Sequence, residues 1–239
     1  MQPTPHPLVH AAQRLWGWLM SSHTSPHTGN NPTERFIESM KTTASARFAA
    51  SVRLRYKSKA YFITSTIFSL GLILIALLQL TGIPLKFNNQ VLTAMTAFLA
   101  VSVLVYSVTA GTAHHEVRAE QLNECGDRIK KLVRSIEREY NAGGNQLASD
   151  KQAVYEHEYH LIITDTEPHH RNDFRRTLLD MKGPAGVTGL VRLIELTQYY
   201  FLRFIEHIPH LALLSIEIVF MSDMLGYSAM LKPLLNAPI

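Results

Sequence analysis

Between Glu38 and Glu116 the chain carries not one Asp or Glu. Soluble surfaces intersperse both signs of charge, so an acid-free stretch holding two long apolar blocks calls for surroundings other than water. The first block, residues 60–81, reads AYFITSTIFSLGLILIALLQLT, 22 residues without a charge. At about 1.5 Å per residue it reaches roughly 33 Å, enough to cross a hydrocarbon core of about 30 Å. The second, residues 91–113, reads VLTAMTAFLAVSVLVYSVTAGTA and is equally long and uncharged. Gly82, Ile83 and Pro84 stop the first helix, and Lys86, Asn88, Asn89 and Gln90 supply headgroup contacts. So short a connection makes the two helices antiparallel neighbours. A chain of 239 residues cannot bury two such helices on every side, so the pattern predicts a transmembrane hairpin rather than a soluble core.

Charge gives the orientation. Arg47, Arg53, Arg55, Lys57 and Lys59 precede the first span, Arg118, Arg128, Lys130 and Lys131 follow the second, and the loop between them carries only Lys86. The positive-inside bias predicts both termini in the cytoplasm. The overall balance, a net charge of +4 with mean hydropathy near zero, hides this segregation. The lone Cys125 rules out an intramolecular disulfide and suits a reducing compartment.

Both spans carry small and hydroxyl residues at helical spacing: Ser65, Ser69 and Gln79 in the first, Thr93, Ala97, Ala100 and Ser107 in the second. Such faces let helices pack closely in lipid. They could also line a pore when several hairpins assemble. Packing is the favoured reading, and any pore must be oligomeric, since one hairpin encloses nothing.

The remainder reads as helical. Residues 1–31 form an arm expected to be mostly disordered. Residues 32–142 comprise the hairpin and its cytoplasmic extensions, and 143–239 a C-terminal helical region. Asn31-Pro32-Thr33-Glu34 is a helix start that should run unbroken into the first span. After the second span, Leu122, Ile129, Leu132 and Ile136 recur in steps of three and four among balanced charges, with Cys125 in the same stripe. This stripe is the candidate oligomer interface, and Cys125 reads as a small core residue. The expected architecture is an all-α membrane protein: a two-helix hairpin continuing into a cytoplasmic helical stalk, with further cytoplasmic helices. Helices are expected at 150–164 and 167–181, then a turn at 183–186 and an amphipathic helix over 187–208. Residues 211–221 are nearly all apolar but interrupted by Glu217. They are too short to span a bilayer and carry an expensive carboxylate, which predicts a buried helix or an oligomer interface.

No catalytic constellation stands out, and the chain reads as something other than an enzyme. His157-Glu158-Tyr159-His160 misses the zinc-protease spacing by one position. With His169 and His170 nearby, a structural metal site is the alternative to surface or core histidines, which are the plainer reading. No metal or other cofactor is expected, and nothing points to direct nucleic-acid binding.

The order of parts resembles the SLATT family, two-transmembrane effector domains associated with bacterial conflict systems. Arg47 to Lys59 leading into Tyr61 and Ser65 carry the resemblance, followed by Ser102, Tyr106, Ala110, Arg118, Cys125 and the run to Ile136. Tyr155, Tyr159, His169, His170 and Asp173 resemble the polar motif of the branch with extra C-terminal helices. The resemblance implies an oligomeric effector of the bacterial inner membrane that forms a pore or disrupts the bilayer in antiphage defence. Its trigger would be a partner sensor, a nucleotide second-messenger synthase or a reverse transcriptase, or that sensor's product. The alternative is a non-conducting anchor that recruits a cytoplasmic partner through its helices.

Overall fold

The computed structural model describes residues 31–82, 85–180 and 189–231, and every described element is a helix. The arm before Asn31 and the turn expected at 183–186 lie outside these residues. Six helices follow in order: α1 Pro32–Leu80, α2 Asn89–Ala113, α3 His115–Ala142, α4 Ser149–Thr164, α5 Arg171–Asp180 and α6 Gly189–Leu225. The expected run of α1 into the first span holds, in one helix of 49 residues. Asn88 caps α2 by accepting from the Val91 N–H at 2.9 Å. The expected continuation beyond the second span is interrupted by one residue, His114, in the left-handed region at φ 45°. The helix expected at 167–181 starts later, because residues 167–170, Pro168 among them, are not helical and His170 accepts the first bonds of α5.

Two compact units divide the chain. The first joins the described residues up to Leu54 with Val117–Arg203. Its core sets Ile37, Met40 and Ala44 of α1 against Cys125, Ile129, Leu132, Val133 and Ile136 of α3 and Ile162 of α4. A smaller cluster adds Ala50 and Leu54 against Ala119 and Leu122. The helices approach closely at Gly126, where a Cβ would sit 2.8 Å from the Phe48 ring, and Lys130 lies over that ring at 4.2 Å. The stripe expected to join copies, Leu122, Ile129, Leu132 and Ile136, is thus buried in the chain's own core. An apolar row at 3–4 spacing must be covered by some helix, and α1 and α4 cover it here.

The second unit joins Arg55–Glu116 with the residues from Phe204 on. Its helices pack around Phe68 and Ile75 of α1, Leu92, Met95, Leu99 and Tyr106 of α2, and Phe220 and Met224 of α6. Its outside is strongly apolar: Phe62, Leu70, Leu77, Leu80, Val101, Leu104 and Ile218 are each more than half exposed. That is the distribution expected where the solvent is hydrocarbon.

One expectation is corrected. Residues 211–221 are not a short separate helix but the end of α6, which runs 37 residues straight through Pro209. Proline removes one backbone donor, a loss that membrane helices tolerate where neighbouring helices and local adjustments re-satisfy the freed group. With the helix continuous, the apolar length from Phe204 to Leu225 suffices to cross a bilayer, and three helices qualify as spans by length and composition.

Replacing Ile129, fully buried in the first unit, with Asp should unfold that unit, costing about 4 kcal/mol or more. Far-UV circular dichroism and limited proteolysis of the purified protein in detergent would check this. A folded, protease-resistant Ile129→Asp protein would contradict the core assignment.

Candidate functional site

Hydroxyls inside a membrane need partners, and most of those here find them on their own helix. Ser69 donates to the Ser65 carbonyl at 2.9 Å, Thr93 to Asn89 at 2.8 Å and Ser102 to Phe98 at 2.8 Å. Back-bonded in this way, they can face lipid or another helix without a pore to hydrate them. Ser65, Ser69 and Gln79 are half-buried, whereas Thr93, Ala97, Ala100 and Ser107 lie exposed on the outside of the bundle. The two sets are therefore not gathered around one common interior.

Glu217 is different. It lies on α6 with 2% of its surface exposed, and neither carboxyl oxygen has a hydrogen-bond partner. Across from it on α1 is Gly71, buried, where an added Cβ would overlap Glu217 Oε1 and sit 3.6 Å from Leu99 Cδ1. All three helices of the bundle meet at this point. The missing side chain of Gly71 makes the space that the carboxyl fills. Eleven residues separate Gly71 from Ala60 and ten separate it from Thr81, so the carboxyl stands about 15 Å from either end of the span.

Aromatic and imidazole rings close one end of the same bundle. His210 packs edge-on to Tyr61 at 4.8 Å and to Tyr106 at 5.3 Å, and Tyr61 stacks on His115 at 5.7 Å. Next to them Lys57 pairs with Glu206 at 3.1 Å, and the Ser58 hydroxyl donates to Glu116 at 3.0 Å. At the other end the Lys86 N–H donates to the Met224 carbonyl at 3.3 Å, and Phe87 stacks on Phe220 at 5.1 Å. Asp223, also buried, accepts from the Ser228 hydroxyl and the Leu231 N–H. α6 therefore follows the bundle from one end to the other in the same direction as α1.

The first unit holds a separate polar cluster. Asp173 caps α5 by accepting the His170 N–H at 3.0 Å and takes a two-pronged ion pair from Arg53 at 2.9 and 3.0 Å. Both partners are largely shielded from solvent. Two further arginines hold the preceding loop, Arg118 to Glu167 at 2.7 Å and Arg128 to Asp165 at 3.0 Å. At the end of α4, Arg47 and Cys125 donate to the Ile163 and Ile162 carbonyls, a good place for a cation. Burial, reinforced by the Arg47 charge, pushes His169 below its ordinary value of 6.5. His157 and His160 are exposed on α4, and His170 is exposed beside the half-buried His169. Among the described residues no group of His, Cys, Asp and Glu is arranged to hold a metal. Of the polar candidates, the structure brings together His169, His170 and Asp173 and leaves His157 and His160 apart. Sequence reasoning missed Arg53 as the partner of Asp173, and Gly71 as the partner of Glu217. The signal for the second was present, a single acid in an otherwise apolar run.

Fold and site together define an all-α membrane protein with an ionisable group inside its bundle. The model of the SMODS and SLOG-associating 2TM effector domain family 5 matches residues 30–221, and the chain belongs to this family. No curated protein and no solved structure matches the chain significantly. It is accordingly a membrane effector domain of bacterial conflict systems, of a kind named for its association with SMODS and SLOG partners. The name counts two spans; the matched region also takes in most of α6.

Two outcomes follow for the polar cluster. Asp173→Asn leaves Arg53 shielded and unpaired and should cost about 3–5 kcal/mol, whereas an apolar replacement of both partners should cost much less. Thermal melts in detergent would show the difference, and equal losses would contradict it. A histidine whose folded value is depressed favours folding only while it stays neutral. Stability should therefore fall as pH drops below about 6.5, where the unfolded chain takes the proton first. A His169→Gln protein should lose that part of the pH dependence.

Proposed function

We propose that the protein is an oligomeric effector of the bacterial inner membrane, which breaches the bilayer when a partner sensor or its product engages the helices outside the membrane. One observation carries the reading over that of a passive anchor. An anchor needs only apolar helices, yet this bundle holds a carboxyl without a partner at the meeting point of all three. Ionisable groups inside membranes are costly and mark ion paths or moving parts. Family membership supports the same reading. Assembly is favoured by an apolar face that the first unit's own core leaves open, formed by Leu190, Leu193, Ile194, Tyr200 and Phe201 of α6. The pore-lining role passes from the self-bonded hydroxyls to the neighbourhood of Glu217.

The same packing bears on topology. The basic flanks assign the start of the first span to the cytoplasm. If α6 crosses beside α1 and in the same direction, its last turn at Leu225 emerges on the far side with Lys86 and Phe87. The topology becomes N-in, C-out, in place of two cytoplasmic termini.

Induced expression in a bacterial host should collapse membrane potential, read with a voltage-sensitive dye. Glu217→Leu should insert at equal abundance and leave the potential standing. An intact potential with abundant, membrane-inserted wild type would favour the anchor. For topology, an alkaline phosphatase fusion should be active at the C-terminus and inactive at the N-terminus. The reverse pattern, or inactivity at both ends, would contradict a third span.

A further inference from the structure

The chemistry around Glu217 limits what it can bind. Sodium, potassium and divalent cations need several oxygen ligands, six to eight for calcium. Here Oε1 lies against Gly71, with Leu99 beside that glycine, and neither carboxyl oxygen has a hydrogen-bond donor. The bundle's other titratable and charged side chains stand toward its ends. Arg55, Tyr56, Lys57, Lys59, Tyr61, Tyr106, His114, His115, Glu116, Glu206, His207 and His210 are at one, Lys86, Asp223 and Tyr227 at the other. A bare carboxylate at this depth would be an uncompensated charge, the costliest state a buried group can adopt. The one cation that a lone carboxyl among C–H groups can hold is a proton.

We propose that Glu217 is the proton-binding site of the membrane bundle, and that the permeation path it serves is selective for protons. The inference rests on the effector reading and names the ion. In the closed bundle Glu217 is a neutral carboxylic acid seated against Gly71. Transfer breaks its O–H bond and leaves the electron pair on the carboxylate, and the proton passes to water or imidazole on one side. Uptake of a proton from the other side restores the acid. No other reactant is consumed. His210 stands seven residues before Glu217 on the same face of α6, about 10 Å away along the helix. An imidazole can take a proton at one ring nitrogen and release it from the other. Gly71 is a positioning residue, since any side chain there displaces the carboxyl.

The test uses the full-length protein in sealed phospholipid vesicles. A trapped pH-sensitive dye reads proton entry under an imposed pH gradient, and potassium release and leakage of a small anionic dye are read in parallel. Wild type should carry protons while retaining potassium and dye, and Glu217→Gln should lower proton flux roughly tenfold or more. Gly71→Ala keeps the carboxyl but moves it, and should also slow the flux. It serves as the second variant if Glu217→Gln inserts poorly. Infrared difference spectra should show a protonated-carboxyl band at neutral pH that disappears in Glu217→Gln. Equal release of protons, potassium and dye, unchanged in both variants, would overturn proton selectivity while leaving a membrane-breaching effector. Vesicles tight to all three would overturn both readings. Absence of the carboxyl band would overturn the proton site whatever the fluxes.

Discussion

Hydrocarbon offers a polar group no water, so each must find its partner inside the protein or lose its charge. The membrane unit follows from that constraint. Its hydroxyls turn back onto carbonyls one turn earlier, as Ser69, Thr93 and Ser102 do. Its rings and ion pairs gather at the ends, where His210, Tyr61 and the Lys57–Glu206 pair stand. Glu217 can do neither, because a side chain at the centre of the bundle reaches no end. It is accommodated by geometry, in a space left by a glycine on the facing helix. The bundle therefore buries a group whose ionic state it cannot support.

Much of this was legible in the chain. The acid-free stretch and the two apolar blocks over 60–81 and 91–113 define the hairpin, because backbone saturation and bilayer thickness leave little choice. Asn31 to Glu34 marks the start of α1, since caps are local chemistry. The third apolar helix was not legible by the same rules. The helix expected over 187–208 ends just before Pro209, and Glu217 reads as a charge too costly for lipid, which trims the apolar run below spanning length. Both signals assume that the helix stands alone. Packed against α1 and α2, it shields the acid within protein and carries the proline without breaking.

The first unit teaches a related lesson. Leu122, Ile129, Leu132 and Ile136 have the spacing of a coiled-coil seam, and spacing says that such a row is covered without saying by what. The cover is the chain's own α1 and α4. Asp173 was singled out by the family resemblance, yet its partner Arg53 lies 120 positions away, and pairing at that separation is a product of the fold. Three arginines from α1 and α3 reach Asp165, Glu167 and Asp173 and so hold the loop between α4 and α5.

The account stands on α6 lying against the hairpin along its full depth, with its end beside the loop. Phe87 and Phe220, stacked at 5.1 Å, offer the most direct measurement. In a Cys125→Ser background, Phe87→Cys and Phe220→Cys should together form a disulfide in native membranes under mild oxidation, seen as a reducible shift in gel mobility. If both cysteines react with a soluble thiol reagent yet never cross-link, α6 does not pack there. The three-helix bundle and the buried place of Glu217 would then be wrong.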